Sequence, residues 1–414
     1  MTAAHRRVRL ACYASNVCMS LAANLSPLLF LTFRSQYGIS FTMLGTLIVI
    51  NYSSQLIIDL IFSFFSHKFN ITRTVRLMPW LTIAGYAVFI AVPTLFPQHA
   101  YAGLLCGTVL FSVASGLAEV LLSPVIAALP ADDPDREMSK LHSVYAWGTV
   151  FVVVFSTLYL LLFGTANWPW LALIMQAVPL TAALLFMGAD IPAISSPGKV
   201  SGVMTFLREK GLWLCVLAIF LGGASECTMS QWASSYLEQA LGLPKVWGDM
   251  GGVALFAVML GLGRTLYSSI GKNITRVLLL GGIGAAVCYL TAALSDAPLL
   301  GLVACALTGL CTSMLWPGSL IVSTSWYPAG GVLIYALMAA GGDLGASIGP
   351  QLVGLITDTV IASPAAVQAA QQMGLTIEQL GMKLGMLVGM IAPVVSIAVY
   401  GTMHRRMKKL GRQA

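Results

Sequence analysis

Twelve long apolar runs constrain the fold of this chain more than any other feature of its sequence. A membrane-spanning helix needs roughly 20 consecutive apolar residues. The runs are continuously apolar and lack the short alternating segments of a membrane β-barrel, so helices are the expected spanning element. Numbered here as spans 1 to 12, they occupy residues 10–33, 42–65, 75–96, 100–128, 140–163, 168–188, 212–238, 249–270, 274–295, 299–326, 331–356 and 381–403.

The composition excludes a soluble globular domain. Of the 414 residues, 58% are hydrophobic and 9% are charged, whereas soluble domains carry about 25% charged residues. The predicted fold class is therefore an all-α membrane protein with twelve transmembrane helices. An enzyme is not expected, and no cofactor or metal ion is predicted, because no motif below supports either.

Basic residues predict the orientation in the membrane. With the N-terminus in the cytoplasm, the inner side receives the basic N-terminus, the basic loops and the basic C-terminal tail, while the outer loops keep Arg34, Lys245 and Lys383. This bias predicts a multi-pass protein of the cell membrane with both termini cytoplasmic. The net charge of +7 is explained by contact with anionic lipid, so no nucleic-acid partner is expected.

Two sequence words occur twice and indicate an internal duplication. The word NITR begins at Asn70 and again at Asn273, and GLAEVLLSP at 116–124 is matched by GLCTSMLWP at 309–317. Six helices repeated in the same orientation are typical of secondary transporters, whose binding site lies between the halves near the bilayer midplane. The predicted domains are a first half at 1–188, a cytoplasmic linker at 189–211 with an interfacial helix, and a second half at 212–414.

Polar residues form lines along four of the spans. Residues three or four positions apart share one helix face, and lipid does not solvate such a line, so each line must face water, substrate or another line. The four lines consist of Asn16, Ser20 and Asn24; Asn51, Gln55 and Asp59; Ser112, Ser115, Glu119 and Ser123; and Asp343, Ser347 and Gln351.

Three acidic residues within spans are candidates for proton coupling: Glu119, Glu226 and Asp343. Ionisable groups inside a membrane are costly and mark ion or proton pathways by default. The alternative for each is a structural carboxylate that is held in an interhelix hydrogen bond or paired with a base.

Amide, hydroxyl and indole groups on the same spans are candidates for substrate binding. Tryptophan can stack on a sugar ring, although in membrane proteins it more often packs or lies at the lipid interface. The candidates are Asn24, Asn51, Gln55, Trp232, Trp316, Ser347 and Gln351.

Two charged residues near the cytoplasmic ends of spans are candidates for gating. Asp59 is expected to face the positive N-terminal end of span 11, and Arg264 is expected to pair with Asp135 or Glu137. Ordinary snorkelling or pairing is the alternative for both.

The segment GASIG at 345–349 matches the G-x-S-x-G elbow of serine hydrolases, but we reject that interpretation. The elbow requires a strand-to-helix turn and a histidine base. Ser347 lies inside an apolar helical run, and all five histidines lie in loops or near span ends. Close helix packing explains Gly341, Gly345 and Gly349 better.

These residues resemble the major facilitator superfamily, and more narrowly its fucose-galactose-glucose proton symporter branch. Span 7 reads GASECTMSQWASSYL, span 8 carries Gly263-Arg264, and span 11 carries GGDLGASIGPQLVG. In AEVLLSP, Glu119 is similar to the fourth-helix glutamate of the branch, and the resemblance implies a role in proton coupling. Asn24 stands where the branch carries a first-helix aspartate, and SHKFNITR, with His67, is a degenerate form of the family's loop between spans 2 and 3.

The sequence thus predicts a secondary active transporter, expected to be a monomer, that couples uptake of a neutral hydroxylated molecule such as a monosaccharide to protons. Its partners are the substrate, the proton and membrane lipid. The four polar lines contain no cationic residue near the bilayer midplane, which argues against an anionic substrate. Two alternatives stay open: a proton-driven exporter of amphipathic compounds, and a receptor or scaffold that does not transport.

Overall fold

The computed structural model describes residues 3–65, 68–130, 134–192, 207–270, 273–327 and 331–409, and these residues are almost entirely helical, with no β-strand among them. Among the described residues, eleven helices are long and apolar enough to cross a membrane, and two consecutive helices near the N-terminus, bent by 48° at their junction, make a twelfth span when they are counted as one. The predicted fold class is confirmed.

Spans 1 to 6 match the first six apolar runs. Proline accounts for the break in span 6, because the ring of Pro179 removes one backbone donor and crowds the carbonyl four residues earlier, that of Met175. In span 1, Pro27 lies inside the first helix and the break follows it at Leu29. The helices are Ala3–Leu28 with Phe30–Tyr37, Phe41–Phe65, Ile71–Leu95, Ala100–Ala127, Pro134–Phe163, and Trp168–Met175 with Ala177–Phe186.

Spans 7 to 12 match the second six runs, and a short helix, Pro364–Gln372, lies between the last two. Most of the linker expected to form an interfacial helix, residues 193–206, lies outside the described residues, as does His67. The helices are Lys210–Leu241; Lys245–Trp247, the π-helical turn Gly248–Ala254 and Leu255–Ile270; Ile274–Leu294; Pro298–Thr312 with Leu315–Trp326; Gly331–Ile361; and Ile377–Gly389 with Ile391–Lys409.

The chain divides into two compact units. The first contains residues 1–38 and 50–200, and the second contains residues 39–49 and 201–414. Each has its own apolar core: Val75 and Val125 are fully buried in the first, and Leu278 and Met338 in the second. The division cuts span 2 at residue 49, so the first turns of that helix are grouped with the second unit.

Glycines bring spans 7 and 11 of the second unit into backbone contact. A Cβ atom on Gly345 would lie 2.0 Å from the Phe220 carbonyl oxygen, and one on Gly349 would lie 3.0 Å from the Ala224 oxygen. The Ser347 hydroxyl donates to the Asp343 carbonyl oxygen at 2.8 Å, within its own helix. Helix packing therefore explains GASIG, as predicted.

The repeated word NITR is a helix start in both units. Asn70 precedes span 3 and accepts a hydrogen bond from the Arg73 amide at 3.0 Å. Asn273 precedes span 9 and accepts from the Arg276 amide at 3.3 Å, with a left-handed backbone (φ 58°) that asparagine tolerates well. The first amides of a helix lack partners within the helix, so both copies supply the same N-cap.

We expect Asn70→Ala to lower the free energy of unfolding by about 1 kcal/mol, because it removes an N-cap acceptor. Thermal unfolding of the purified protein in detergent measures this loss. Asn70→Asp keeps the acceptor and is the matched control. Equal stability of the alanine and aspartate variants would contradict a capping role.

Candidate functional site

The polar line of span 1 is hydrogen-bonded to span 5 within the first unit. Asn16 Nδ2 donates to the Leu141 carbonyl oxygen at 2.5 Å, and the Ser20 hydroxyl donates to that of Tyr145 at 2.7 Å. One turn further, Asn24 Nδ2 lies 3.3 Å from Thr149 Oγ1. The line thus contacts two backbone carbonyls and a hydroxyl of span 5, whereas the sequence predicted that it would face water, substrate or another polar line.

The polar lines of spans 2 and 4 also meet. Asn51 Oδ1 accepts from the Ser112 hydroxyl at 2.7 Å and from Gln55 Nε2 at 3.0 Å. Below this network the two helices touch, since a Cβ atom on Gly116 would lie 2.9 Å from Gln55 Cα. The structure therefore brings the substrate-binding candidates Asn51 and Gln55 together. It adds Ser112 to their network, a residue that the sequence analysis placed on a polar line but did not name as a binding candidate.

The next turn of the same two helices carries a pair of carboxylates. Asp59 and Glu119 offer carboxylate oxygens within 4.8 Å of each other. Asp59 is buried, with 2% of its surface exposed, and Glu119 is half-buried. The sequence separated Asp59, as a gate residue, from the proton candidate Glu119. The structure gives the register of the two helices: Asn51 bonds to Ser112, 61 positions further along the chain, and the same offset brings Asp59 to residue 120, next to Glu119.

In the second unit, Arg264 pairs with Glu226. The Arg264 NH2 group lies 3.4 Å from Glu226 Oε1, and Arg264 Nε donates to the Ser313 carbonyl oxygen at 3.1 Å. The acidic partners expected for Arg264 have side chains outside the described residues. The long arginine side chain carries its charge away from its own backbone position, so the cation reaches a glutamate that the sequence places near the centre of span 7.

We expect a double-mutant cycle on Arg264→Ala and Glu226→Gln to give a coupling energy of about 1 kcal/mol. Arg264→Ala leaves a largely buried carboxylate without its cation, whereas the double variant removes both charges, and contacting residues couple by 0.5–3 kcal/mol. Unfolding temperatures of the four proteins in detergent measure it. Strictly additive losses would contradict the pairing.

The remaining candidates lie on spans 7, 10 and 11 of the second unit. Trp232 is fully buried: its Nε1 donates to the Pro350 carbonyl oxygen at 2.9 Å, and its ring packs near Phe41. Trp316 is half-buried, and its ring fills the space where Gly342 lacks a side chain. Asp343 and Ser347 are buried on the same helix. In this structure Trp232 is held as a packing residue, so Trp316 is the more accessible indole.

The comparison with known proteins agrees with this architecture. The sequence model of the Major Facilitator Superfamily matches residues 12–350, and the chain belongs to this family. No curated protein sequence matches the chain significantly. The chain is thus a multi-pass membrane protein with the fold of a major facilitator transporter.

Several solved structures share this fold. A bacterial homologue of the human lysosomal transporter Spinster superposes with a TM-score of 0.76 at 12% identity, over 99% of this chain and 98% of that one. A D-xylose-proton symporter gives 0.73 at 13% identity, over 94% and 96%. The E. coli fucose:proton symporter gives 0.58 at 16% identity, over 94% and 98%. At these identities the similarity concerns the fold.

Proposed function

We propose that this transporter is a proton-coupled symporter of a neutral, hydroxylated small molecule such as a monosaccharide, and that Glu119 carries the proton. It works by alternating access. The observation that carries the proposal is the approach of Asp59 to Glu119 inside two membrane-spanning helices.

Two negative charges within 4.8 Å of each other repel strongly in a medium of low dielectric constant. A single shared proton relieves that repulsion, and its binding and release belong to the pair as a whole. Glu119 is the more exposed of the two carboxylates, so it is the group that exchanges the proton with water. Asp59 then acts as its partner rather than solely as a gate. Glu226 and Asp343 remain secondary candidates.

The chemistry around this pair fits a neutral substrate. Asn51, Gln55 and Ser112 supply amide and hydroxyl groups one to two turns away on the same helices, and such groups match the donors and acceptors of a sugar. Arg264, which would attract an anionic substrate if it were unpaired, faces the carboxylate of Glu226. Trp316 is the indole proposed to stack on the substrate, with Asn24, Ser347 and Gln351 as further ligands.

Relatives of the same fold support this choice of substrate class. Two of them are named as proton symporters of sugars, of fucose and of D-xylose. Another is named as a nucleoside transporter, and nucleosides also carry a sugar ring. With the basic residues inside, we place the protein in the cell membrane as a monomer with both termini in the cytoplasm.

The experiment is to measure substrate-induced current in proteoliposomes that contain the wild-type protein, using a panel of monosaccharides under an inward proton gradient. A current for one member of the panel, abolished by an uncoupler and independent of sodium, would support the proposal. A current that follows a sodium gradient would assign the carboxylate pair to a metal cation. Silence throughout the panel would remove sugars as substrates and favour export of amphipathic compounds.

A further inference from the structure

We infer that Asp358 and the start of span 2 form an outer latch, a contact that holds the transporter closed on the side predicted to be external. The inference rests on the alternating access of the proposed function. The outer latch is defined by two sets of residues that face each other: Phe41, Thr42, Gly45 and Thr46 of span 2, and Gln351, Gly354 and Asp358 of span 11.

The centre of the outer latch is a helix cap supplied from a distant part of the sequence. The Thr42 amide donates to Asp358 Oδ2 at 2.6 Å, and the Phe41 amide donates to Asp358 Oδ1 at 3.3 Å. The Ser40 hydroxyl accepts from the following amide, that of Met43, at 3.2 Å. The first amides of a helix carry a partial positive charge and lack partners within the helix. The Asp358 carboxylate satisfies two of them.

Two glycines allow the helices to approach closely enough for this cap. A Cβ atom on Gly354 would lie 2.5 Å from the Phe41 carbonyl oxygen, and one on Gly45 would lie 3.3 Å from Gln351 Cα. Gln351 Nε2 adds a weak bond to Thr46 Oγ1 at 3.4 Å. The contact thus extends over more than one turn of each helix.

The contact matters for opening and closing because span 2 is divided between the two compact units. By sequence it belongs to the first six-helix half, yet residues 39–49 are grouped with the second unit, while its inner turns, with Asn51 and Asp59, belong to the first. Opening towards the outside requires the halves to part on that side. If the halves separated there, the Phe41 and Thr42 amides would lose their bonds to the Asp358 carboxylate. The cap therefore stabilises the outer-closed state.

The test measures the outer opening directly and without substrate. Spin labels are placed on cysteines at Gln98 and Gln371, both exposed on the predicted outer side, in a background whose native cysteines are replaced. Double electron-electron resonance then gives the populations of short and long distances. We expect Asp358→Ala, which removes both carboxylate oxygens, to raise the ratio of long to short distances by roughly five-fold, the effect of losing one helix cap.

A second variant tests the close approach separately. Gly354→Ala places a methyl group against the Phe41 carbonyl oxygen, so it should shift the same ratio in the same direction while Asp358 is intact. The control is Asp296→Asn, which removes an exposed carboxylate that pairs with Lys383 and should leave the ratio unchanged.

Unchanged distance distributions in both latch variants would overturn the inference. Because no substrate or ion gradient is present, that result would leave the proposed symport untouched. Conversely, a silent sugar panel would leave the outer latch standing.

Discussion

Replacing Glu119 with glutamine is expected to reduce proton-driven uphill uptake by about 100-fold, the scale of losing a side chain that transfers a proton. Glutamine has nearly the same shape but does not release a proton, so the carrier cannot return empty after it has released the substrate. Exchange of labelled for unlabelled substrate needs no proton release and should persist. Uptake and exchange by the same proteoliposomes, measured with the substrate identified from the panel, separate the two effects.

Asp59→Asn tests the partner of that carboxylate. Because Asp59 lies within 4.8 Å of Glu119, we expect its amide variant to weaken uphill uptake as well. Glu238→Gln is the matched control, since Glu238 is a half-buried carboxylate on span 7 that has no part in the proposal. If Glu119→Gln retained full uphill uptake, the proton-carrying role would be assigned to Glu226 or Asp343 instead.

Replacing Gly345 with alanine is expected to lower the free energy of unfolding by about 3 kcal/mol, the upper end of the cost of overpacking. The new methyl carbon would lie 2.0 Å from the Phe220 carbonyl oxygen and 3.0 Å from the Ala224 nitrogen. These atoms are backbone, so spans 7 and 11 have to separate. Thermal unfolding in detergent, read from tryptophan fluorescence, measures the loss.

Gly401→Ala is the matched control for this substitution. Gly401 also lies within a helix, in span 12, but a Cβ atom there would meet nothing nearer than Leu279 Cδ1 at 4.0 Å. Alanine is favoured over glycine in a helix by up to about 1 kcal/mol, so this variant should be as stable as the wild type or more so. Similar losses for both variants would show that packing between spans 7 and 11 is not the cause.

The number of spans followed from the sequence because it is a local property, and the duplication followed because two copies of a short word can be compared directly. The length of an apolar run compared with the thickness of a bilayer decides whether it can span, and NITR has the same N-cap at Asn70 and Asn273. The lines of polar residues could also be predicted from the sequence, since helical periodicity alone places their members on one helix face.

The partners of those polar residues required the tertiary structure. The sequence separated Asp59 from Glu119 and did not anticipate the contact of Arg264 with Glu226, because it does not specify how each helix is rotated about its axis or where a long side chain ends. The rotation of spans 2 and 4, set by the close contact at Gly116, brings the two carboxylates together. Likewise, Asp358 caps two amides that lie 316 and 317 residues away in the sequence. Sequence determined which groups lie in the membrane, and packing decided which of them meet.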